Sequence, residues 1–464
     1  MKDYKVGFVS MEKETSVNNL PIQGKIPKWL KGTLFRIGPA KFETAKGKLN
    51  HWFDGFAMLH SFSFQQGNVS YKNKFLESNS FQAAKRNGKI AYREFATDPC
   101  MSIFKKFFSL FSSDLTDNCN VNVTKIADKY LALTETTLPI IFDQEFLKTK
   151  GHFIFDDNLD AQITTAHPHF DFATREIFSY MTKFSINSHY LIYNIRNGTK
   201  RCLISKIPVK EPAYMHSFAL TRKYIILAEF PLVVNPLDLA FSNKPFIKNY
   251  KWKKENGTRF IVIDRGNGNI IANIKSRAFF AFHHINAFEE NEKIILDIAA
   301  YGDSTIIDSL FMNRIFANNH LLPRPNFIRF KLDLNNNIAT QQRIIEAPIE
   351  LPRINYKYNA RDYNFAYGTS FNKDGDFLNQ LIKVDIKNKK TSRWHRGGFY
   401  PSEPVFVPSP EGKKEDDGVI LSVALDSKQK KSSLIVLDAK NFKEIGRALL
   451  SHFIPFGFHG NFYN

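Results

Sequence analysis

Two adjacent histidines in an apolar stretch are the first residues here whose type suggests chemistry. The stretch 282–289 reads FHHINAFE. Because neighbouring side chains of a strand point to opposite faces, only one of His283 and His284 can face inward. More histidines lie in mixed surroundings far away in the sequence, in the stretches TAHPH at 165–169, YMHSF at 214–218 and GFHGN at 457–461.

Neutral imidazoles from these four stretches suit a divalent first-row metal such as iron, zinc, copper or nickel. The spacing differs from a local metal motif, whose ligands lie within a turn or two of one another. A site built from them needs a fold that carries widely separated strand ends to one point. Since the chain has 13 histidines, a hydrogen-bonded core or surface position is the alternative for each one.

Three glutamates in apolar surroundings match what such a site requires. A ligating imidazole needs an acceptor on its other ring nitrogen, so a histidine site predicts buried carboxylates beside it. Glu135, Glu350 and Glu403 are the candidates. A buried glutamate is costly without a cation, a donor or a histidine N–H. Exposed loop positions are the alternative, which fits Glu403 better than Glu135.

The elements that must position these residues are predicted to be β-hairpins. Alternating runs flank turn residues at 58–76, 190–198, 260–274, 330–337, 381–390 and 434–441. A strand, an aspartate and a turn recur about every 50 to 70 residues, which is typical of propeller blades with long loops. We predict an all-β fold with one β-propeller domain over residues 1–464, whose innermost strands converge on an axis. An irregular pair of β-sandwiches is the alternative.

One segment breaks the strand pattern. Residues 101–111 read MSIFKKFFSLF, and four phenylalanines recur at helical spacing, namely Phe104, Phe107, Phe108 and Phe111. The pattern predicts an amphipathic helix over 101–113. Its apolar face either packs on the propeller or enters the surface of a membrane.

Composition restricts the class of partner. The formal net charge is +19, yet the basic residues are scattered and no nucleic-acid-binding motif is present, so an anionic membrane surface is the better partner. The 45 phenylalanines suit packed strands or an apolar tunnel. Residues 1–5 do not resemble a signal peptide, and no apolar run reaches the length of a membrane span. We therefore expect a cytoplasmic protein with peripheral membrane contact.

Other catalytic arrangements find no support in the sequence. It contains no G-x-S-x-G elbow, P-loop or dinucleotide-binding glycine motif. The three cysteines, Cys100, Cys119 and Cys202, form no disulfide framework and lie in no recognisable reactive setting.

Eight motifs lie in order along nearly the whole chain. They are GTLFRIGP at 32–39, HWFDG at 51–55, AHPH at 166–169, MHSF at 215–218, FHHINA at 282–287, YPSEP at 400–404, EDDGV at 415–419 and FHG at 458–460. Together they resemble the carotenoid cleavage oxygenases, a family of non-haem iron enzymes. The resemblance is closest to the animal branch that contains the β-carotene oxygenases and the retinoid isomerase.

The resemblance implies a seven-bladed propeller with Fe(II) on its central axis, beneath a cap of loops and helix over a substrate tunnel. The implied iron ligands are His167, His216, His283 and His459. It further implies that Glu135 orients His216, Glu350 orients His283 and Glu403 orients His459. His167 is left without a carboxylate.

The implied activity is Fe(II)-dependent cleavage of a double bond of a carotenoid or apocarotenoid with O2, giving aldehydes such as retinal. The Phe-rich helix would be a membrane patch around the tunnel mouth. By position, the tunnel is expected to be lined by Phe95, Thr134, Leu351 and Phe458. Stilbene-cleaving relatives carry a lysine where this chain has Thr134, which favours the carotenoid. The alternatives are a stilbenoid or phenylpropenoid dioxygenase and a carotenoid carrier or isomerase that does not cleave.

Overall fold

The computed structural model describes residues 3–98, 115–242, 244–318, 320–372 and 375–464. All six predicted hairpins are present in it. The first, for example, consists of strands Phe56–Gln65 and Asn68–Phe75, which pair antiparallel up to Gln65 and Asn68 at the turn. The prediction of an all-β fold is confirmed.

An aspartate at the end of a strand holds several of these turns. Asp264 Oδ1 accepts hydrogen bonds from the backbone N–H groups of Gly266 and Asn267, at 2.8 and 3.0 Å. Asp333, Asp385 and Asp438 make equivalent bonds in their own turns. Such bonds satisfy backbone donors that have left the strand ladder, which explains why a strand, an aspartate and a turn recur together.

Seven sheets of four or more strands, counted within the described residues, form the seven blades of a β-propeller. The strands of each blade are given from the outermost to the innermost. Blade 1 consists of Thr15–Val17, Asn68–Phe75, Phe56–Gln65, Gly32–Lys41 and Gly460–Tyr463. Blade 2 consists of Thr149–His152, Ile140–Phe142, Lys129–Leu133 and Asn122–Ile126. Blade 3 consists of Cys202–Val209, Ser188–Ile195, Glu176–Lys183 and the inner pair Ile163–Thr164 and His169–Asp171.

The remaining blades follow in chain order. Blade 4 consists of Ile270–Ser276, Thr258–Asp264, Tyr224–Glu229 and Ala219–Leu220. Blade 5 consists of Ile338–Pro348, Asn326–Asp333, Lys293–Tyr301 and Phe280–Glu290. Blade 6 consists of Lys390–His395, Gln380–Asp385, Phe365–Ser370 and Glu350–Ile354. Blade 7 consists of Ile22–Gly24, Glu444–Leu449, Lys431–Asp438, Gly418–Asp426 and the inner pair Phe399–Pro401 and Val405–Pro408.

The two ends of the chain close the ring. The C-terminal strand Gly460–Tyr463 pairs with Gly32–Lys41 inside blade 1. The early strand Ile22–Gly24 pairs with Glu444–Leu449 at the outer edge of blade 7. Strands from both ends therefore stabilise the first and last blades, and neither blade is complete without the other end.

Helices are short and lie between strands. The described α-helices are Asn79–Asn87, Pro236–Phe241, Thr305–Ser309 and Met312–Ile315. The 3-10 helices are Asp3–Phe8, Trp52–Asp54, Phe246–Asn249, Lys254–Asn256 and Tyr356–Tyr358, and two-stranded ribbons pair Glu43–Thr44 with Gly47–Lys48 and Leu232–Val233 with Lys251–Trp252. None of the described helices is long and apolar enough to span a membrane. The helix predicted over 101–113, with Phe104, Phe107, Phe108 and Phe111, lies outside the described residues, and the predicted cap stays a prediction.

Apolar side chains between neighbouring blades form the core. Phe260 of blade 4 and Phe330 of blade 5, both almost fully buried, have ring centroids 5.1 Å apart. Burial of such rings supplies most of the favourable free energy that holds blade against blade. The packing fixes where each innermost strand meets the axis.

Candidate metal centre and cavity

Four blades each bring one histidine to the axis. His459 precedes the innermost strand of blade 1, and His167 lies between the two inner strands of blade 3. His216 precedes the innermost strand of blade 4, and His283 lies within that of blade 5. Because innermost strands of a propeller converge, residues up to 292 positions apart become neighbours here, as the 4.4 Å between the ring centroids of His167 and His459 illustrates.

The other three blades each bring one carboxylate. Glu135 follows the strand Lys129–Leu133 of blade 2, Glu350 begins the innermost strand of blade 6, and Glu403 lies between the inner strands of blade 7. All seven predicted histidines and glutamates therefore meet at the axis, one from each blade.

The four imidazoles face one another closely. One ligand atom from each of His167, His216, His283 and His459 can be chosen so that all four lie within 4.8 Å of one another. The Nε2 atoms of His167 and His216 are 2.9 Å apart, and those of His283 and His459 are 3.2 Å apart. Two nitrogens bound to one divalent ion at about 2.1 Å and at a right angle lie about 3 Å apart. The spacing thus matches adjacent ligands of a metal.

Each predicted carboxylate holds the histidine that the resemblance implied. His216 Nδ1 lies 2.7 Å from Glu135 Oε1. His283 Nδ1 lies 2.8 Å from Glu350 Oε2, and His459 Nδ1 lies 2.7 Å from Glu403 Oε1. Among the described residues, no carboxylate contacts the ring of His167 within ion-pair distance.

The donor set fits a cation. Because a carboxylate oxygen can only accept, the three Nδ1 atoms must carry the protons. Each Nε2 then presents a lone pair toward the centre of the cluster, where lone pairs repel unless a cation or a proton lies between them. Neutral imidazole nitrogens with carboxylates behind them are the usual ligands of a divalent metal.

Burial shifts the pKa values of His167 and His459 at this site. The pKa of His167 lies well below its usual value, because of burial first and then repulsion from the other three imidazoles. The pKa of His459 is also well below its usual value, because of burial first and then repulsion from His283, His216 and two arginines. Burial raises the pKa of Glu350, but His283, the Leu351 N–H and the Tyr301 hydroxyl outweigh it, so the net pKa is lowered. His167 and His459 therefore stay neutral and Glu350 stays ionised, as a metal site requires.

The neighbouring histidines point elsewhere. His284 Nδ1 lies 2.8 Å from the Ser217 hydroxyl. His169 bonds the Phe218 carbonyl and the Tyr356 hydroxyl through its two ring nitrogens, at 3.0 and 3.1 Å. The pairing of the innermost strand of blade 5 shifts register around His284, which separates the directions of His283 and His284.

Local backbone conformation positions the segment before His459 and the N–H group that bonds Glu350. A Cβ added to Gly38 would lie 2.4 Å from the Cα of Gly457, so only glycine lets the segment before His459 approach the strand Gly32–Lys41. Leu351 has a left-handed φ of 48°, which lets its N–H donate to Glu350 Oε2 at 2.6 Å. A strained non-glycine residue beside a functional group is typical of sites where geometry matters more than local stability.

A cavity of about 160 Å³ lies beside the histidines. His216, His283 and His459 form part of its wall, and mostly apolar side chains line the rest, among them Trp52, Phe53 and Phe282. All four residues predicted to line the tunnel are part of this wall, namely Phe95, Thr134, Leu351 and Phe458. A second and wider cavity of about 1390 Å³ reaches His167, His283 and His459 and is lined by many polar residues, including Arg353.

Residues that hold the carboxylates were not predicted. The Tyr214 hydroxyl bonds both oxygens of Glu135, and the Tyr301 hydroxyl donates to Glu350 at 2.9 Å. Arg36 and Arg353 both contact Glu403. Tyr214 and Arg36 lie inside motifs already noted, and Arg353 follows Glu350 by three positions, but nothing local in the sequence indicates these contacts.

Comparisons with known proteins show which family this chain belongs to. The sequence matches the family described as retinal pigment epithelial membrane protein over residues 8–464. The mitochondrial carotenoid-cleaving dioxygenase of Mustela putorius furo is 33% identical over 521 residues, covering 98% of this chain and 95% of that protein. The beta,beta-carotene 15,15'-dioxygenase of Gallus gallus is 32% identical over 501 residues, covering 95% of this chain and 94% of that protein.

Solved structures share the seven-bladed propeller fold described above. A variant of the Synechocystis apocarotenoid oxygenase superposes with a TM-score of 0.91 at 27% identity, covering 100% of this chain and 98% of that one. Family, relatives and fold agree over nearly the whole length of the chain, which belongs to the family of the retinal pigment epithelial membrane protein and the carotenoid oxygenases, and is an oxidoreductase of the dioxygenase type.

Proposed function

We propose that this dioxygenase binds Fe(II) through His167, His216, His283 and His459 and cleaves one double bond of a carotenoid or apocarotenoid with O2. The products are aldehydes, such as retinal. The observation that carries the proposal is that four imidazole nitrogens cluster together and that three of these rings line an apolar cavity. The cavity suits a hydrocarbon polyene, and the neutral nitrogens suit a divalent metal.

Bound among the histidines, Fe(II) would supply the activation of O2 beside the substrate. The chain's own residues keep the site ready for it. Glu135, Glu350 and Glu403 hold their histidines in one tautomer, with Nδ1 protonated and Nε2 free to bind. Without these acceptors, each ring could turn or carry its proton on the wrong nitrogen.

The cavity wall positions the polyene and excludes water. Phe95, Phe282 and Phe458 line the cavity, and aromatic rings suit contact with an extended conjugated chain. The overall reaction breaks one carbon–carbon double bond and places one oxygen atom from O2 on each carbon. No net proton is transferred, so the residues need not act as an acid or a base.

Thr134 supports a carotenoid rather than a phenolic stilbene. It lines the cavity next to Glu135, at the position where the resemblance implies a lysine in the stilbene-cleaving relatives. A threonine hydroxyl carries no charge with which to hold a phenolate.

The test is aerobic incubation of the purified, iron-loaded protein with β-carotene, an apocarotenal and a hydroxystilbene. We expect aldehydes from the polyenes alone, with an oxygen atom from isotopically labelled O2 in each new carbonyl group. Aldehydes from the stilbene alone would establish the stilbenoid alternative instead. Geometric isomers without O2 consumption would indicate an isomerase, and bound but unchanged pigment would indicate a carrier. His283→Ala protein is the inactive control.

We further propose that the segment 101–113 attaches the enzyme to membranes, with Phe104, Phe107, Phe108 and Phe111 entering the lipid and the net charge of +19 attracting anionic headgroups. A carotenoid dissolves in lipid, so an enzyme at the membrane surface has direct access to it. Sedimentation with anionic liposomes measures this attachment. The double substitution Phe107→Asp and Phe108→Asp is expected to abolish sedimentation with the liposomes. Unchanged sedimentation would contradict the proposal.

We also propose that residues 1–464 fold as one propeller domain. The pairing of strands from both ends of the chain in blades 1 and 7 supports it. Deletion of the last strand, Gly460–Tyr463, is then expected to abolish the folded state of the whole chain, whereas a folded remainder would argue against it.

A further inference from the structure

The three carboxylates behind the histidines are held by different kinds of partner. The Tyr214 hydroxyl donates to Glu135 and lies 3.1 Å from Oε1 and 3.0 Å from Oε2. Glu350 accepts a hydrogen bond from the Tyr301 hydroxyl at Oε1, at 2.9 Å, and one from the Leu351 N–H at Oε2, at 2.6 Å. Both carboxylates thus have neutral donors besides their histidines and keep most of their negative charge for the imidazole N–H.

Glu403 instead lies between two guanidinium groups. Arg353 Nη1 lies 3.3 Å from Oε1, the oxygen that accepts from His459, and Arg36 Nη1 lies 3.4 Å from Oε2. The backbone N–H of Gly460 also donates to Oε2, at 3.0 Å. Among the described residues, Glu403 is the one carboxylate of the three with cationic partners.

This difference changes how strongly each histidine donates electrons to a metal. A carboxylate that accepts from Nδ1–H increases the electron density on Nε2 and so makes the imidazole a stronger ligand. A guanidinium competes for the same oxygen through a charge-assisted bond and reduces this effect. His459 should therefore donate more weakly than His216 and His283.

The two arginines are not equivalent. Arg36 is fully enclosed, and it bonds the carbonyl groups of Phe458 and Glu403 at 2.8 and 3.2 Å, so it also holds the chain around His459 in place. Arg353 reaches Glu403 from the wide cavity, its side chain remains 22% exposed, and its second contact is the Asn461 side chain at 2.6 Å. Arg353 can therefore be changed with less damage to the fold.

We propose that Arg353 is a positioning residue that, by sharing the charge of Glu403, weakens the donation of His459 to the metal. The consequence is a site that favours the divalent over the trivalent state of iron, because a stronger donor set stabilises the higher charge. This inference rests on the proposed metal site, and its test separates the two.

The experiment compares Co(II) affinity, measured by competition with a chromophoric chelator, and the midpoint potential of the iron-loaded protein. Arg353→Gln keeps an amide donor for Glu403 but removes the charge. We expect it to bind Co(II) about ten-fold more tightly, the lower end of the usual effect of a residue behind a ligand, and to lower the iron potential. Arg353→Lys keeps the charge and should stay near the wild type in both.

Two controls separate this effect from simple removal of positive charge. Lys357→Gln removes a cation from the wall of the same wide cavity without touching Glu403, and it should leave both values unchanged. In a Glu403→Gln background, Arg353→Gln should have no further effect, because the residue through which it acts is already altered.

The outcomes distinguish the two proposals. If the wild type binds one Co(II) but Arg353→Gln binds it equally or more weakly, the role of Arg353 is wrong and the metal site stands. An equal shift in Lys357→Gln, or a persisting shift in the Glu403→Gln background, would also overturn the role of Arg353. Failure of the wild type to bind Co(II) would overturn the metal site itself.

Discussion

The Nδ1 atom of His283 and the Oε2 atom of Glu350 lie 2.8 Å apart, although 67 positions separate the two residues in the chain. His283 belongs to the innermost strand of blade 5, and Glu350 begins that of blade 6. The contact depends on the packing of two blades, so the geometry of the site and the stability of the propeller are linked.

Replacement of Glu350 by Gln tests this contact directly. The amide can turn its NH2 toward His283, which cannot then keep its proton on Nδ1, so we expect metal affinity to fall about 10- to 100-fold. Competition titration with Co(II) measures it. Glu346→Gln is the matched control, because the Glu346 side chain is 90% exposed and pairs with Arg343 at the surface. Equal affinity in both variants would contradict the assigned role of Glu350.

Replacement of His283 or of its neighbour His284 by Ala should affect metal binding differently. His283→Ala removes a proposed ligand, so we expect loss of stoichiometric metal binding and of activity. His284→Ala leaves the four proposed ligands intact and removes the bond to Ser217, so it should keep the metal and lose about 1 kcal/mol of stability. Metal analysis and thermal unfolding of both proteins measure this. Metal loss in His284→Ala alone would reverse the assignment.

The cavity wall should control turnover without affecting metal. Leu351→Trp places a larger side chain in the wall of the cavity of about 160 Å³, next to Glu350, and so reduces its free volume. We expect kcat/KM for a carotenoid to fall roughly ten-fold or more because the polyene no longer fits, while Co(II) affinity is unchanged. Leu203→Trp, at an exposed position on the outermost strand of blade 3, should behave as the wild type. Full activity of Leu351→Trp would place the substrate elsewhere.

Acid should destabilise the metal-free protein. Burial lowers the pKa of His51 and of His60 from 6.5 to about 3. The folded protein keeps these rings neutral, while the unfolded chain takes up protons below pH 6.5. The stabilisation is therefore complete above pH 6.5 and is lost as the pH falls toward 3, by about 1.4 kcal/mol per pH unit for each ring.

Thermal unfolding of the metal-free protein between pH 7 and pH 5 measures this loss. His60→Gln can still bond the Tyr71 hydroxyl, which lies 2.9 Å from His60 Nδ1, but it takes up no proton on unfolding. Its melting temperature should therefore fall less steeply with acid than that of the wild type. An identical pH dependence in both proteins would exclude His60 as a contributor.

Local patterns in the sequence were enough to predict the hairpins. Alternation along a strand and an aspartate before a turn are encoded within about ten residues, and the turn bonds of Asp264 and Asp438 are equally local. The apolar surroundings of Glu135 and Glu350 likewise indicated carboxylates that need a partner. The choice of His167 over His169 and of His283 over His284 came from the family resemblance, because both members of each pair lie in similar surroundings.

Only the tertiary structure decided which residues hold the site together. Glu135 of blade 2 reaches past blade 3 to His216 of blade 4, and Arg353 of blade 6 contacts Glu403 of blade 7. These contacts depend on strand register and on the closure of the ring by the first and last strands. A local sequence pattern carries no such information, because each bond joins residues from different blades.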